Sequence, residues 1–487
     1  MSEPTPISWM PPWMHATDLE RFEISAAEGG ERWLCLRPRK SSWAALEQGL
    51  RKAAEVLRGM PIARIVGAID RVSAQWCDRR FETRARALER VVAATGFSAE
   101  AVERSFDVEL RNYRADSLWR TLRRELGDPA VLDGFVYHPD LAGRARAVGP
   151  GIALTIFTGN VPGLPALSIV RALLVKSAVL AKVASGEPTF AAAFARTLAE
   201  EDARLSDALA ITYWDRDDRS TLDLALAHSD AVIAYGGATA VRAVRQAIPD
   251  ARRFVEHGHK VSVGLVSRSY RQELGDAELA RRIAVDVSTF NQHACIAPQS
   301  YLVEADAEEA KALLVAVSDA LASYAKECPL GDLPQQDAAE LQLRRAAHAW
   351  AAAAEGDPAG FRSAPGLDWT VSLGRALASD AGGGNRFLRL VPVASLQEAI
   401  QQLRPYGEHL QNVALGALGD ELEPAAERLA ALGASRICEP GRMAEPSLMW
   451  RHDGRMCIAD LVRWCDVEMH ALLDGPHSPS HTAGRSR

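Results

Sequence analysis

The sequence predicts an α/β protein in which a doubly wound parallel sheet is joined to a second α/β domain and a helical N-terminal region. Two observations lead to this prediction. From Ala147 onward, short apolar segments alternate with amphipathic segments of helical length. Glycine-containing turns follow several of the apolar segments, as expected for parallel strands that are linked by helices. The 487 residues are enough for two or three domains.

The first part of the chain, residues 1–140, is predicted to be mainly helical. Residues 41–139 contain apolar positions at helical spacing, such as Ala44 and Leu46, and little glycine. A proline-rich lead over 1–20 precedes them. We expect the tryptophans of this lead to dock part of it on the protein surface.

The predicted nucleotide-binding domain covers residues 141–262. Its strands and helices alternate as in a doubly wound sheet. The predicted elements are a strand at 152–157, a helix at 164–176, a strand at 178–183, a helix at 188–203, a strand at 211–214, a helix at 219–227, a strand at 231–235, a helix at 239–247 and a strand at 253–256.

The predicted catalytic domain covers residues 263–439, and about 440–472 is expected to return to the nucleotide-binding domain. A tail at 473–487, rich in proline, serine, histidine and glycine, is predicted to be disordered. The predicted elements are a strand at 261–266, a helix at 276–290, a strand at 299–304, helices at 306–327 and 335–355, extended segments at 367–373 and 386–393, a helix at 395–403, a strand at 413–416, a helix at 420–432, a turn-rich segment at 436–454 and a last helix at 457–472.

Composition excludes several classes of protein. A net charge of -7 provides no basic footprint for nucleic acid. No apolar stretch approaches the roughly 20 residues of a membrane span, and the N-terminus lacks the pattern of a signal peptide. Seven cysteines without a CxxC pair or a Cys/His zinc spacing argue against a disulfide framework and predict no metal site. We therefore expect a soluble, cytoplasmic protein with no nucleic-acid or membrane partner.

Three features lie at the carboxyl ends of predicted strands, where α/β sheets bind ligands. The turn TGNVPG (158–163) has glycines that allow a close backbone approach and precedes a helix N-terminus that can bind an anion, although GxGxxG is absent. Lys182 and the pair Gly236-Gly237 end two further strands. Each feature also has a structural interpretation: Asn160 as a turn residue, Lys182 as a solvated boundary residue, and the glycines as a connector.

Cys295 lies in a short polar turn between a predicted helix and a predicted strand, within residues 286–304. Asn291, Gln292 and His293 come shortly before it. This layout fits a thiol presented at a site, and it fits a buried structural cysteine equally well. The other six cysteines are predicted to be structural, at Cys35, Cys77, Cys328, Cys438, Cys457 and Cys465.

Several motifs occur in an order that resembles the aldehyde dehydrogenase superfamily, most closely its LuxC-type acyl-CoA reductases. They are TGNVPG, VLAKVAS, YGGATAV, EHGHK (256–260) and NQHAC, followed by YGEHLQNVALG (406–416) and MWRHDG (449–454), which resemble late motifs of the LuxC branch. The resemblance runs from about 148 to 468. Glu256 and Cys295 are 39 residues apart (295 minus 256), close to the family's interval. The resemblance implies an aldehyde-dehydrogenase-like fold.

The resemblance also implies catalytic roles. Cys295 would be the nucleophile that forms an acyl-enzyme with a thioester. The Asn160 amide and the Cys295 backbone N–H would form the oxyanion hole. Glu256 stands where oxidising members have the base that activates water, and in a reductase it would be structural or would assist proton transfer. Three nearby histidines are expected to pack or to hydrogen-bond, with acid–base chemistry as the alternative: His257, His259 and His293.

The cofactor implied by the resemblance is NADPH. Lys182 would bind the adenosine ribose or its 2′-phosphate. Ser185 stands where the superfamily usually has an acidic residue, and serine would not repel a 2′-phosphate. The family's Glu-x-Phe-Gly-Pro motif is absent, since 386–393 reads RFLRLVPV, and Ala238 replaces a serine. The predicted cofactor-binding residues are Thr158, Gly159, Lys182, Ser185, Gly236, Gly237 and Thr239.

The predicted activity is the NADPH-dependent reduction of an acyl thioester, with a fatty acyl group favoured, to the aldehyde. The substrate would be an acyl-CoA or an acyl-carrier thioester, and the protein a homo-oligomer. One alternative is an oxidising aldehyde dehydrogenase in which Glu256 is the hydrolytic base. The other alternative is a non-catalytic, aldehyde-dehydrogenase-like binding subunit. The sequence leaves the length of the acyl chain open.

Overall fold

Two large sheets, a parallel one of five strands and a mainly parallel one of seven, form the centre of the fold in the computed structural model. The structure describes residues 4–25, 31–249, 252–377 and 384–468. The predicted disordered tail at 473–487 lies outside the described residues. Within the described residues, no helix is both long and apolar enough to cross a membrane.

The N-terminal region combines helices with strands that the sequence analysis did not predict. A pattern typical of strands was present in the sequence. Phe22 and Ile24 alternate with polar neighbours. Strand β3 pairs in parallel with β1 and antiparallel with β2. The elements are β1 Thr5–Pro6, β2 Leu19–Ser25, β3 Arg32–Pro38, α1 Trp43–Gly59, α2 Ile62–Cys77, α3 Glu82–Thr95, α4 Ala99–Leu110, α5 Ala115–Leu126, β4 Val136–His138 and β5 Gly143–Val148.

The lead segment docks as predicted. The indole N–H of Trp9 donates to the Ser206 carbonyl at 3.0 Å, and that of Trp13 donates to the Asp207 carbonyl at 3.1 Å. These bonds attach the beginning of the chain to the edge of the five-stranded sheet.

The five-stranded sheet is parallel throughout and has the order β10-β9-β6-β7-β8. The chain order reverses between the adjacent strands β6 and β9, which places a crevice at their carboxyl ends. Its strands lie within two residues of the predicted positions. The elements are β6 Ile152–Ile156, α6 Pro165–Leu174, β7 Ala178–Lys182, α7 Phe190–Glu201, α8 Ala203–Ser206, β8 Leu209–Thr212, α9 Arg219–Ala227, β9 Ala231–Tyr235, α10 Ala238–Ala247 and β10 Arg253–His257.

The seven-stranded sheet has the order β13-β14-β15-β12-β11-β16-β17, and only the β13–β14 pair is antiparallel. Helix α11 was not predicted. The elements are β11 Val261–Val266, α11 Arg268–Leu274, α12 Asp276–Ser288, β12 Ser300–Glu304, α13 Ala307–Glu327, α14 Gln335–Ala354, β13 Phe361–Ser363, β14 Thr370–Leu373, β15 Phe387–Val393, α15 Leu396–Leu403, β16 Leu410–Gly416, α16 Leu422–Leu432 and β17 Arg436–Cys438.

The predicted last helix at 457–472 is wrong for the residues that the structure describes. Residues 459–461 form a single 3₁₀ turn, and β18 (Arg463–Val467) is a strand that pairs antiparallel with β5. The apolar positions Ile458, Leu461 and Val462 have helical spacing, but they reach the core from a turn and an extended segment. Pairing with a strand more than 300 residues away overrides the local pattern.

The hydrophobic core is continuous from the N-terminal helices through the five-stranded sheet. Two further clusters cover the two faces of the seven-stranded sheet. A small fourth cluster connects α4, the turn after β6 and the segment around Cys295. Its buried members are Val108, Val161, Phe290, Ala294, Ile296 and Ala444. This fourth cluster packs the helical region against both sides of the site described next.

Candidate active site

A cavity of about 310 Å³ lies at the carboxyl ends of β6 and β9, facing the segment that carries Cys295. Apolar side chains and polar groups from distant parts of the chain line it together. The lining residues used below are Thr158, Asn160, Arg171, Tyr235, Gly236, Gly237, His257, His259, Gln292, His293, Cys295, Gln411, Trp450, His452 and Asp453. A crevice at this edge of a doubly wound sheet is a common position for a ligand site.

The segment before Cys295 turns in an unusual backbone conformation. Phe290, Asn291 and Gln292 have φ values of 55°, 50° and 64°, in the left-handed region that side chains other than glycine rarely adopt. Such a conformation persists only where the surroundings determine it. We call residues 289–295 the nucleophile loop, after the role that the sequence analysis predicts for Cys295.

Buried hydrogen bonds hold the nucleophile loop in this conformation. The Arg386 guanidinium donates to the Asn291 side-chain oxygen through Nε at 3.1 Å and Nη2 at 2.7 Å, and it also donates to the Cys328 and Pro329 carbonyls. The Gln292 amide donates to the Phe387 carbonyl and accepts from the Phe387 N–H. Residues 386–387, which depart from the superfamily's motif, therefore support the nucleophile loop here.

The Cys295 side chain lines the cavity and is exposed there. Desolvation by the protein groups around the cavity raises the pKa of the Cys295 thiol to about 12, and the nearby Asp453 carboxylate adds to the rise. The Gln411 side chain and the cysteine's own backbone N–H partly offset this rise by lowering the pKa of the thiol. The thiol is thus accessible but needs a base to become a nucleophile.

Asn160 lies beside the nucleophile loop. Its amide nitrogen donates to the His293 carbonyl at 2.6 Å, and its side-chain oxygen accepts from the Thr158 hydroxyl at 2.6 Å. An amide nitrogen carries two hydrogens, so the second one is available to a ligand in the cavity. Both neighbours orient the amide, and Thr158 is placed to position Asn160.

Glu256 does not line the cavity. Its carboxylate forms an ion pair with Arg245 on α10, and it is partly exposed. Successive side chains of a strand point to opposite faces, so His257, the next residue of β10, points to the cavity. The geometry does not support the prediction that Glu256 acts on substrate at Cys295.

His257 belongs to a buried cluster. Its Nδ1 lies 2.7 Å from an Asp453 oxygen, and the other Asp453 oxygen accepts from the Gln411 amide at 2.6 Å. The His257 ring stacks on Tyr235, at 4.5 Å, and on His452, at 4.1 Å. The nitrogens and the carboxylate lie within 4.8 Å of one another. Because Nδ1 is hydrogen-bonded to the carboxylate and the imidazoles stack face to face, we interpret the cluster as hydrogen-bonded, not as a metal centre.

The other two histidines differ from His257. Nε2 of His293 lies 2.9 Å from the Asn385 side-chain oxygen, and its ring packs on Phe97. Burial lowers the pKa of His293. His259 lines the cavity without a ring partner among the described residues. The packing and hydrogen-bonding interpretation therefore fits His293.

The predicted cofactor residues lie along one edge of the five-stranded sheet. Gly236 and Gly237 precede α10, whose N-terminus has no side-chain cap, so its first N–H groups are available to an anion. Thr239 is exposed in the first turn of α10. In the loop after β6, a Cβ on Gly159 would lie 2.8 Å from the Glu187 backbone nitrogen, so the close packing of two loops requires glycine there.

Lys182 ends β7 and lies 5.4 Å from the centre of the Tyr213 ring. Burial lowers the pKa of Lys182 to about 8, against the opposing charge of Asp215. Ser185, three residues on, is exposed. Three features together fit a dinucleotide site: Lys182, a cation without an ion pair among the described residues, the uncapped N-terminus of α10, and the reversal of strand order between β6 and β9. Lys182, Ser185 and Thr239 lie outside the catalytic cavity, further along the same sheet edge.

Sequence reasoning missed several residues of the site. Gln411 and Asp453 belong to the quoted motifs YGEHLQNVALG and MWRHDG, but neither was given a role. His452 and Arg386 were also missed. The motifs marked Gln411 and Asp453 as part of the family pattern. The sequence around them, however, does not indicate that they lie in the same cavity as Cys295.

The profile of the LuxC acyl-CoA reductase family matches residues 57–464. The long-chain acyl-protein thioester reductase of Photorhabdus luminescens is 27% identical over 257 residues, which is 52% of each chain. The chain spans about half the length of the curated relatives it matches.

The fold is shared with solved aldehyde dehydrogenases. Aldehyde dehydrogenase 21 from Physcomitrella patens has a TM-score of 0.73 at 12% identity, covering 96% of this chain and 98% of that one. A variant of aldehyde dehydrogenase C from Pseudomonas syringae, solved with NAD+ and octanal, has a TM-score of 0.69 at 13% identity, covering 94% and 96%. The prediction of an aldehyde-dehydrogenase-like fold is confirmed. Since the family profile covers most of the sequence, this chain belongs to the LuxC acyl-CoA reductase family.

Proposed function

We propose that this chain reduces an acyl thioester to the aldehyde with NADPH, through an acyl-enzyme on Cys295. The observation that carries the proposal is the position of Cys295: an accessible thiol, on a rigidly held loop, in a cavity at the ligand-binding edge of a dinucleotide-type sheet. The Asn160 amide lies beside it. Family membership supports the same chemistry.

The residues of the site have distinct tasks in this proposal. The Cys295 sulfur attacks the thioester carbonyl, and the donor thiol leaves. The free amide hydrogen of Asn160 and the Cys295 N–H bind the carbonyl oxygen as negative charge develops on it. When bound, the nicotinamide supplies the hydride. Breaking the bond between the carbon and Cys295 sulfur then releases the aldehyde.

NADPH is favoured over NADH because Lys182 offers a cation and Ser185 offers no carboxylate at the sheet edge. A 2′-phosphate carries extra negative charge, so it gains from the lysine and would be repelled by an acid at position 185.

The acyl donor is coenzyme A or an acyl-carrier protein. The protein thioester in the names of the relatives supports the second possibility.

An oxidising aldehyde dehydrogenase is less well supported. That activity needs a base to activate hydrolytic water, and the predicted base, Glu256, is paired with Arg245 outside the cavity. A non-catalytic subunit would not need an accessible cysteine beside an oriented amide.

The predicted homo-oligomer is supported by exposed aromatic side chains around the small sheet β18-β5-β4, with Tyr137 49% and Trp464 41% exposed. Light scattering of the purified protein tests it.

The test of function uses purified protein, acyl-CoAs of several chain lengths and each reduced cofactor. We expect consumption of NADPH with at least one thioester and, without cofactor, acylation of the Cys295 peptide in mass spectra. Cys295→Ala should abolish both, whereas Cys77→Ala, which removes a thiol outside the cavity, should change neither. If folded, NADPH-binding protein neither oxidises the cofactor nor forms an acyl-enzyme with any thioester, the proposal is wrong.

A further inference from the structure

We propose that His257 is the acid–base residue of this site and that Asp453 positions it, whereas Glu256, which was expected to be structural or to assist proton transfer, does not act there. This inference rests on the proposed acyl-enzyme chemistry at Cys295. It assigns the proton transfers of the reaction to an imidazole on the cavity wall.

The placement of β10 determines which side chain can serve. His257 and Cys295 line the same cavity. Glu256, one residue earlier, points to the other face and pairs with Arg245. The His257 imidazole therefore faces the cavity, and the Glu256 carboxylate does not.

Asp453 fixes the proton on His257. The Nδ1–Oδ2 distance of 2.7 Å assigns the hydrogen to Nδ1, which leaves Nε2 as the acceptor. Asp453 itself has a left-handed φ of 57° and is almost completely buried, so its position is enforced by its surroundings. Although burial raises the pKa of Asp453, its hydrogen bond to His257 and its electrostatic interactions with His452 and Lys260 lower it to about 2. The carboxylate is thus ionised at neutral pH.

The same carboxylate is hydrogen-bonded to a second residue of the cavity wall. The Gln411 amide nitrogen donates one hydrogen to Asp453. The Gln411 side chain also acts to lower the pKa of Cys295. Gln411, Asp453 and His257 are thus joined by hydrogen bonds, and all three line the same cavity as Cys295.

Stacking restrains the imidazole plane. His257 stacks on Tyr235, with an interplanar angle of 23°, and on His452, with an angle of 24°, and Trp450 stacks on His452. A ring that packs against two aromatic rings and is hydrogen-bonded at Nδ1 has little freedom to rotate. This arrangement resembles the support that a general base needs for efficient proton transfer.

The charged and titratable groups around His257 favour its neutral form. Burial lowers the pKa of His257, and Arg171 and Arg455 act in the same direction, while Asp453 opposes them. The groups that face or influence the ring are Tyr235, His452, Asp453, Arg171 and Arg455. At neutral pH the imidazole can therefore accept a proton, which a thiol with a raised pKa requires.

His257 carries the proton of the acyl transfer from Cys295 to the departing thiolate. The Cys295 S–H proton moves to Nε2 of His257 as the sulfur bonds to the acyl carbon. The bond from that carbon to the donor sulfur breaks, and the departing thiolate takes the proton from Nε2, which completes a neutral transfer. After hydride from the reduced nicotinamide adds to the acyl carbon, breaking the carbon–sulfur bond releases aldehyde and the Cys295 thiolate. The thiolate regains a solvent proton through His257.

The experiment compares His257→Gln and Asp453→Asn with a matched control, His228→Gln. His228 also pairs its Nδ1 with a carboxylate, Glu47, at 2.6 Å, and stacks on Trp43, but it does not line the cavity. Two rates are measured: alkylation of Cys295 by iodoacetamide as a function of pH, followed by peptide mass spectrometry, and single-turnover acyl transfer from an acyl-CoA. Thermal unfolding confirms that each variant folds.

We expect His257→Gln and Asp453→Asn to slow acyl transfer by about 10²–10⁴-fold and alkylation at pH 7 by about tenfold, with His228→Gln unchanged. Alkylation of the wild type should level off once His257 is neutral, whereas in His257→Gln it should keep rising toward the thiol pKa. In His257→Ala, added imidazole should restore acyl transfer on the order of tenfold.

The inference is overturned if His257→Gln stays within about threefold of the wild type in both rates, or if Glu256→Gln is slower than His257→Gln. Failure of the proposed function looks different. In that case the wild type transfers no acyl group, while the alkylation of Cys295 still depends on His257.

Discussion

Arg386 offers a strong test of how the nucleophile loop is held, through the substitution Arg386→Met. The Arg386 side chain is completely buried and donates to the Asn291 side-chain oxygen and to the carbonyls of Cys328 and Pro329. Methionine keeps most of the volume but leaves two buried acceptors, on Asn291 and Cys328, without this donor, whereas the Pro329 carbonyl still accepts from the Ser98 hydroxyl. Each such acceptor costs about 1–3 kcal/mol, and local relaxation limits the sum, so we expect a loss of about 3–5 kcal/mol in stability.

The functional effect should exceed what lower stability explains. Without Arg386, the left-handed conformation at Asn291 loses its main support, and Cys295 shifts relative to Asn160. A displacement of about 1 Å can lower the rate of a positioned reaction by about 100-fold. We therefore expect single-turnover acylation of folded Arg386→Met to fall by this factor, and alkylation of Cys295 by iodoacetamide to change much less.

The chain offers a matched control in Arg345→Met. Arg345 is also buried and donates to three acceptors, on Thr370, Gly366 and Trp369, but it does not contact the nucleophile loop. Its loss should lower the unfolding temperature by a comparable amount and leave acylation close to that of the wild type. Equal losses of acylation in both variants would refute the positioning role, and so would unchanged acylation in Arg386→Met.

Three further predictions concern the predicted substrate and cofactor residues. Asn160→Ala should lower the rate of acyl reduction by about 10²–10³-fold in steady-state assays with little change in the affinity for NADPH, because it removes an oxyanion donor; an effect below about fivefold would contradict that role. Ser185→Glu should shift the ratio of kcat/KM for NADPH over NADH toward NADH by about tenfold or more, through repulsion of the 2′-phosphate; an unchanged ratio would show that the phosphate binds elsewhere. The pKa of Lys182, lowered to about 8 by burial, predicts that NADPH binds more weakly as pH rises through 8, because the amine loses its charge. Titration calorimetry should show this loss in the wild type and not in Lys182→Met, and a flat wild-type profile would contradict the contact.

Most of the α/β framework could be predicted from local sequence because its signals are local. Parallel strands buried on both faces are short apolar runs, and their helices have an apolar stripe, so the elements from 152 to 266 lie close to their predicted bounds. The strands β1 to β5 were missed, although β2 pairs with β3, and β4 with β5, as neighbouring segments. Strand β18 was mistaken for part of a helix because it depends on pairing with the distant β5, which a local pattern does not reveal.

For the site, the sequence alone determined Cys295, Asn160 and the glycine turns as candidates, because they occur in an ordered set of motifs. Only the tertiary structure decided which groups face them. The alternation of β10 turns Glu256 to Arg245 and His257 to the cavity. Arg386 hydrogen-bonds Asn291 of the nucleophile loop, and Gln411 and Asp453 reach the same cavity as Cys295 from two further elements. Chain folding sets these contacts, and the hydrogen bonds and burial that tune the thiol exist only once the segments meet.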